Sequence, residues 1–223
     1  MVGGEAVKPG ATTASINKVI HRFILSQNAK PSFLRYNGFP ASTCISVNNE
    51  VIHGIPGSRV LKEGDIVSID VGACYKGFHG DNAYTFPVGE ISGEAKVLLE
   101  VAEKSLYLAI EAAKTGNRLG DISHTVESFV ESTGHSVVKE YVGHGIGRIM
   151  HEAPEIPNFG KPGRGSRLAA GMTLAIEPMV NIGKEEVDTL KNGAVLTKDG
   201  SLSAHFEHTV LITDNGPVIM TKL

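Results

Sequence analysis

The segment IVSIDVGACYKGFHGDNAYTF, residues 66–86, decides the fold. It is mostly apolar and rich in residues that favour β-strands, yet it contains two acidic side chains, Asp70 and Asp81. The dipeptide Lys-Gly at 76–77 predicts a tight hairpin turn in which Asp70 faces Ala83. The two aspartates are then diagonal neighbours on one face, roughly 7–8 Å apart at Cα, whereas a turn one residue earlier places them directly opposite each other.

These aspartates raise a charge problem that extends to the second part of the chain. Glu177 ends an apolar strand just before Pro178, and Glu207 opens another. Acidic side chains are rarely buried without a neutralising partner, and neighbouring like charges destabilise a hairpin. No Lys or Arg interrupts these strands near the acids. Two divalent metal ions would balance the four carboxylates, and oxygen ligands suit hard or borderline cations.

Internal repeats indicate that the chain consists of two related halves. Three pairs of segments align in the same order: residues 8–26 with 114–132, LKEGDIVSID (61–70) with LAAGMTLAIE (168–177), and HGDNA (79–83) with HFEHT (205–209). One such match is weak, because amphipathic helices and buried strands resemble one another, but three in order favour a duplication. Each half then contributes two carboxylates to a shared centre.

The remaining patterns predict three helices between groups of short strands, which is typical of the α+β class. Thr12 or Thr13 is expected to cap the first helix and Asp121 the third, while the second is predicted for residues 94–114. The apolar face of the first helix is expected to consist of Ile16, Val19, Ile20, Phe23 and Ile24. The length of 223 residues fits a single domain over residues 1–223.

Composition excludes several classes of function. The chain is 41% hydrophobic with a formal net charge of −3, so it offers no basic field for nucleic acid or anionic membranes. We expect no membrane-spanning segment and no secretory signal, since no stretch is long and apolar enough. Two cysteines form neither a disulfide framework nor a zinc knuckle, which favours the reducing cytoplasm.

Histidines beside glycines provide further candidate site residues. YVGHGIGRIMHEAP carries His144 and His151, and EVIHGIPG carries His53. Glycines let the backbone approach closely, and GHGIG lacks the Lys-Ser/Thr that follows a phosphate-binding loop. Because the chain already needs metal ligands, we interpret these histidines as part of a site. Structural or ligand-supporting roles are expected for His79, His205 and His208.

With these residues in view, the chain resembles the type I, bacterial-type methionine aminopeptidases of the pita-bread metallopeptidase family. The matching motifs cover nearly the whole chain: KPGATT, GFPASTCISVNNEVIHGIP, LKEGDIVSIDVGACYKGFHGDNAYTF, VGHGIGRIMHEAP, GMTLAIEPM and TKDGSLSAHFEHTV. The resemblance implies an α+β pita-bread fold of two pseudo-symmetric halves, with antiparallel sheets in the core and helices outside. It also implies release of the N-terminal methionine from nascent chains with a small second residue.

The resemblance further implies a role for each site residue. Two divalent ions (Co, Mn, Fe or Zn) would activate the attacking water and be held by Asp70, Asp81, His144, Glu177 and Glu207. Glu177 would also accept the proton of the water, His151 would bind the scissile carbonyl, and His53 would contact the scissile nitrogen. The methionine pocket would be walled by Tyr36, Phe39, Cys44 and Met150.

Two departures from the family pattern carry expectations of their own. Family members usually have a long helix before the KPG segment, whereas about seven residues precede Lys8 here. We therefore expect an exposed apolar surface, available for self-association of an otherwise monomeric protein. The family often has Trp at the pocket edge where Ala194 stands, so a wider rim is expected. Neither departure falls on a proposed metal ligand.

Two other functions remain open. A prolidase-like aminopeptidase would share the fold, but such chains usually carry an additional N-terminal domain. A non-catalytic peptide-binding protein would be expected to lose metal ligands, whereas this chain keeps all five. The favoured hypothesis is a methionine aminopeptidase whose partners are nascent polypeptide N-termini, with the ribosome as one expected place of contact.

Overall fold

The computed structural model describes residues 2–222. Its helices are α1 (Val2–Glu5), α2 (Thr13–Ser26), α3 (Gly93–Ala112) and α4 (Leu119–Ser132). Its strands are β1 (Lys30–Pro31), β2 (Cys44–Val47), β3 (Glu50–Ile52), β4 (Ile66–Asp70), β5 (Ala73–Tyr75), β6 (Phe78–Gly80), β7 (Ala83–Pro87), β8 (Ser136–Val137), β9 (Val142–Gly145), β10 (Glu152–Pro157), β11 (Thr173–Ile176), β12 (Met179–Asn181), β13 (Val187–Thr189), β14 (Val195–Thr197), β15 (Ser203–His205), β16 (His208–Thr213) and β17 (Gly216–Ile219).

The strands form small antiparallel sheets, and the larger helices pack on the sheets. The sheet orders are β2-β4-β7, β10-β9-β11-β16-β17, β1-β5-β6, β13-β14-β3 and β15-β12-β8. Helix α2 buries Ile16, Ile20 and Ile24 against residues of β2 and β4. Helices α3 and α4 share the largest core cluster with β11 and β16. Within residues 2–222, no helix combines the length and apolar character needed to cross a membrane.

The opening hairpin adopts the first of its two predicted registers. Asp70 pairs with Ala83 in β4–β7, and Tyr75 pairs with Phe78 across the turn. Lys76 and Gly77 have φ values of 51° and 84°, which is the left-handed pair that a two-residue hairpin turn requires. The two aspartates are therefore diagonal neighbours, as the Lys-Gly turn predicts.

The two halves have corresponding sheets that meet at the predicted repeats. Strand β4 is central in β2-β4-β7, and β11 is flanked in the same way by β9 and β16. The backbone N–H of Asp81 donates to Thr209 Oγ1 at 2.9 Å, and this hydroxyl donates to the Asp81 carbonyl at 2.9 Å. The Glu207 N–H donates to the Ala83 carbonyl at 2.9 Å. HGDNA and HFEHT are thus hydrogen-bonded to each other, which brings the acidic residues of both halves together.

The helix predictions were right about the first cap and wrong on two details. Thr12 caps α2, because its hydroxyl accepts from the Ser15 N–H at 3.1 Å. Val19 and Phe23, assigned to the apolar face that should pack on the core, are 38% and 45% exposed. A single helix lying on a narrow three-stranded sheet buries only the stripe of positions four residues apart, so the wider predicted face was wrong.

The start of α4 also differs from the prediction. Arg118 is the N-cap residue, and Asp121 lies in the first turn, where its carboxylate accepts from the Arg118 N–H at 2.7 Å. The helix starts earlier because Gly120 permits close contact with the backbone of the loop at 161–164, where any Cβ would collide with the Lys161 carbonyl.

Candidate metal centre and substrate cavity

A cavity of about 380 Å³ brings together all the site residues singled out in the sequence. Its polar wall consists of His53, Asp70, Asp81, His144, His151, Glu177 and Glu207. Its apolar wall consists of Phe33, Tyr36, Phe39, Cys44 and Met150. Exposed residues at its mouth are Asn37, Gly38, Pro40, Asn192 and Gly193. The cavity therefore has an acidic end and an apolar end.

Strand ends bring the acidic side chains together from both halves. Asp70 ends β4, Glu177 directly follows β11, and Glu207 lies between β15 and β16. His144 lies in β9 between two glycines, and β9 pairs with both β10 and β11. A Cβ at position 143 would collide with the Ala175 carbonyl, so the close approach of these strands depends on glycine there.

Burial makes the acidic end unfavourable as a set of free carboxylates. Asp81 and Glu207 are only 3% and 2% exposed. Burial raises the pKa of Asp81 to about 6. Burial, and then the charge of Asp81, raises the pKa of Asp70, Glu177 and Glu207 well above their usual range. Each carboxylate therefore lies where negative charge is poorly tolerated without a cation.

Unpartnered oxygens indicate where such a cation fits. Asp70 Oδ1 and Glu207 Oε1 are buried and have no hydrogen-bond partner within the described part of the chain. Ligand atoms of Asp81, His144 and Glu207 lie within 4.8 Å of one another. Buried polar atoms are normally paired, so orphaned carboxylate oxygens that converge with an imidazole fit a divalent metal site.

His144 has the protonation state of a metal ligand. Its Nδ1 lies 2.8 Å from the Gly145 carbonyl, which can only accept, so Nδ1 carries the proton. Burial lowers the pKa of His144 to about 4, so the ring is neutral at neutral pH. The lone pair is therefore on Nε2, which lies 3.6 Å from Glu177 Oε1. A backbone carbonyl that fixes the tautomer in this way is typical of metal-binding histidines.

His151 is hydrogen-bonded to Tyr36 and lies beside His144. The Tyr36 hydroxyl lies 2.7 Å from His151 Nδ1, and this hydroxyl can either donate or accept. The His151 ring is 4.3 Å from the His144 ring, measured between centroids, in an edge-on arrangement. When the phenol donates, the neutral ring carries its proton on Nε2 and offers an N–H donor to the cavity.

His53 is held in an unusual backbone conformation. Its φ of 61° lies in the left-handed region, which a residue with a Cβ adopts at a cost of about 1–3 kcal/mol. The following residue, Gly54, is fixed by two hydrogen bonds: its N–H donates to Ser46 Oγ, and its carbonyl accepts from the Ile45 N–H. The strain places the imidazole in the wall of the cavity.

The apolar end is a compact cluster in which Phe33, Cys44 and Met150 are buried and Tyr36 and Phe39 partly buried. Burial, followed by the charge of Asp70, raises the pKa of Cys44, so it lines the pocket as a neutral thiol. Sequence reasoning missed Phe33. The spacing of aromatic residues at 33, 36 and 39 was the available signal.

The expectation for Ala194 was wrong. Its side chain is 3% exposed, and the turn in which it lies contributes Asn192 and Gly193 to the cavity instead. Ala194 closes this turn by accepting from the Leu190 N–H and donating to Asn192 Oδ1, so its side chain is directed into the protein. The width of the mouth therefore depends on the neighbouring turn residues.

Residues 2–214 match Metallopeptidase family M24. The chain belongs to this family. The methionine aminopeptidase of Clostridium perfringens is 57% identical over 98% of this chain and 88% of the relative. A crystal structure of the methionine aminopeptidase from Thermotoga maritima superposes with a TM-score of 0.97 at 48% identity, covering 98% of this chain and 89% of that one.

A prolidase structure extends the likeness at the level of the fold alone. A prolidase from Pyrococcus furiosus superposes with a TM-score of 0.78 at 24% identity, and the match covers all of this chain and 59% of the prolidase. Together these matches confirm the resemblance to type I methionine aminopeptidases and the α+β pita-bread fold. Membership of M24 and the cluster of acidic residues and histidine fit a divalent metal site.

Proposed function

We propose that the chain is a metal-dependent aminopeptidase that removes the N-terminal methionine from nascent proteins and peptides with a small second residue. The observation that carries this proposal is the arrangement of the cavity, whose lining joins an apolar cluster that includes Phe33, Cys44 and Met150 to the carboxylate and imidazole centre. The relatives named methionine aminopeptidase support it. The prolidase shares only the fold, and the five ligand-type side chains argue against a non-catalytic binding protein.

We propose that the metal is held by Asp70, Asp81, His144, Glu177 and Glu207. Two ions would balance the four carboxylates, and a mixed carboxylate and imidazole set suits Mn, Fe, Co or Zn. Bound divalent metal supplies a Lewis acid and lowers the pKa of water to near neutral.

The side chains around this centre have separate roles in proton transfer, oxyanion stabilisation and substrate binding. Glu177, whose carboxylate lines the cavity at the acidic end, accepts the proton of the attacking water. His151 donates its Nε2–H to the scissile carbonyl oxygen as negative charge develops there, while Tyr36 holds the other ring nitrogen. His53 contacts the scissile nitrogen. The apolar end, with Phe33 added to the predicted set, binds the methionine side chain.

The proposed substrate also suggests where the protein acts and with which partners. We propose one catalytic domain over residues 1–223 that acts on nascent polypeptide N-termini in the cytoplasm, with the ribosome as a place of encounter. A monomer is expected. The exposed side chains of Val19 and Phe23 on α2 offer a surface for self-association.

Steady-state hydrolysis by the chelator-treated and remetallated protein tests the proposal. Met-Ala-Ser should be hydrolysed far faster than Leu-Ala-Ser, Ala-Pro or Met-Leu-Ser, and Glu177→Gln should be inactive. A preference for Ala-Pro would instead establish a prolidase. Failure to hydrolyse any of these peptides, with metal binding demonstrated in the same sample, would leave a binding protein.

A further inference from the structure

His205 is a buried histidine for which the proposed mechanism has no use. It lies in β15, is 2% exposed, and its Nε2 has no hydrogen-bond partner among residues 2–222. That nitrogen lies 3.8 Å from Glu177 Oε2. Because a buried ring nitrogen without a partner is unfavourable, its direction towards one particular carboxylate calls for an explanation.

The backbone around His205 fixes the position of the ring. Thr85 Oγ1 accepts from the His205 N–H at 3.0 Å and donates to the His205 carbonyl at 2.8 Å. On the other side of β15, His205 pairs with Met179 of β12, two residues beyond Glu177. The backbone of His205 is thus held between the two halves of the molecule. Its imidazole lies beside Glu177.

The two oxygens of Glu177 face two different imidazoles. His144 Nε2, which lies 3.6 Å from Oε1, carries a lone pair and cannot donate. A neutral imidazole carries one ring proton, on either Nδ1 or Nε2. If the His205 proton were on Nδ1, the Nε2 lone pair would face the carboxylate and repel it. The favourable tautomer therefore has the proton on Nε2, directed at Oε2.

We propose that His205 is a positioning residue that donates its Nε2–H to Glu177 Oε2 and thereby directs Oε1 towards His144 and the metal. This inference rests on the proposed role of Glu177 as ligand and proton acceptor. The present separation is longer than a hydrogen bond. Catalytic hydrogen bonds are often long in ligand-free structures and shorten when the site is filled.

Calorimetric titration of the chelator-treated protein with Mn²⁺ or Co²⁺ tests the proposal without reference to activity. His205→Leu should weaken metal affinity by roughly 10–100-fold, as loss of ligand-supporting partners does elsewhere. His205→Gln, which restores an N–H donor, should recover most of that loss. In steady-state assays on Met-Ala-Ser, the Leu variant should lose kcat, with KM nearly unchanged.

Val180→Ala provides the structural control, because Val180 is fully buried in the same β15-β12 pairing and is not part of the cavity lining. It should lower the unfolding temperature and leave metal affinity unchanged. Wild-type affinity in the Leu variant, equal losses in His205→Leu and Val180→Ala, or a Gln variant as poor as Leu would each overturn the proposal. Loss of one bound ion per chain would also overturn it, because His205 would then be a ligand.

This design distinguishes failure of the proposed function from failure of the proposed role of His205. If the wild type binds metal but hydrolyses no methionine peptide, the proposed function fails, while the affinity comparison still decides the role of His205. Should His205→Leu not fold, the comparison is made between Gln and the shorter Asn, which cannot reach Glu177 and should bind metal more weakly than Gln.

Discussion

The two ends of the cavity differ in what burial does to the stability of the protein. At the apolar end, Phe33, Cys44 and Met150 are buried against one another and stabilise the fold directly. At the acidic end, Asp70 Oδ1 and Glu207 Oε1 are buried without partners, and burial raises the pKa of every carboxylate. The acidic end therefore destabilises the metal-free protein and exists for function, whereas the apolar end contributes to both stability and function.

The largest effect is expected for Asp70→Asn, which should lower activity without lowering the stability of the metal-free protein. Removing one of the four clustered carboxylates should lower kcat/KM by more than the roughly 10³-fold seen when an enzyme loses one oxyanion donor. In chelator, however, the variant should be at least as stable as the wild type, because a buried charge is gone. The measurements are kcat/KM on Met-Ala-Ser and thermal unfolding in chelator.

A matched surface change provides the control for Asp70→Asn. Asp199 accepts from the Lys184 and Ser201 N–H groups, and its pKa is lowered to about 2 by hydrogen bonds from Ser201 and Lys184. Asp199→Asn should therefore lower stability and leave kcat/KM unchanged. If Asp70→Asn also lowered stability in chelator, the acidic end would be structural and the comparison would be wrong.

His151→Ala addresses the boundary between the two ends. The variant should keep its metal content and lose about 10²–10³-fold in kcat, since the proposed N–H donor to the developing oxyanion is removed. Tyr36→Phe should lose less, because the ring nitrogen then finds water in place of the phenol. Metal analysis and kcat of both variants are the measurements, and metal loss in His151→Ala would make His151 a ligand.

At the apolar end, Phe33→Ala should act on binding and stability together. Phe33 is 8% exposed, and truncation of a buried Phe costs about 3 kcal/mol of unfolding free energy at the lower end of its range. KM for Met-Ala-Ser should rise roughly tenfold, the scale of lost packing in a hydrophobic pocket. The neighbouring Leu34→Ala, at a 37% exposed position, is the control and should change neither quantity. An unchanged KM in Phe33→Ala would remove Phe33 from the pocket.

The smallest expected effect is a pH dependence of the metal-free protein. A carboxyl whose pKa is raised on folding contributes stability below its unfolded pKa and loses it as pH rises through the folded pKa, about 6 for Asp81. His144, with its pKa lowered to about 4, acts in the opposite sense, but only below about pH 6.5, where the unfolded ring becomes protonated.

Above that pH the contribution of Asp81 is mostly lost, and the remaining contribution comes from Asp70, Glu177 and Glu207, whose pKa burial raises well above the usual range. The unfolding temperature in chelator should therefore fall between pH 6.5 and 8, and it should fall less in Asp70→Asn. Saturating Mn²⁺ should remove the slope and raise the midpoint by about 5–10 °C, as binding at a hundred times Kd provides about 2.7 kcal/mol. A midpoint in chelator that rises across this pH range would contradict the account of the acidic end.

Local sequence patterns predicted several features of the fold correctly. The Lys-Gly dipeptide fixed the hairpin register and Thr12 marked the start of α2, because each depends on neighbours in the chain. The order of the repeats indicated two related halves, because a duplication keeps the order of its segments. The errors arose where packing decides. Val19 and Phe23 are exposed because the sheet beneath α2 is narrow, and Ala194 points inward because its turn closes on Leu190.

Residue types and their pattern along the chain already showed which side chains need a cation, because four acids on apolar strands cannot be buried unpaired. They also determined the family, since long motifs carry the resemblance. The packing of the two halves decided which atoms are left without partners, which groups each imidazole contacts, and which aromatic residue completes the pocket. Tyr36 contacts His151 across 115 positions of sequence. Such contacts depend on how the two halves pack, and short-range patterns carry no record of that packing.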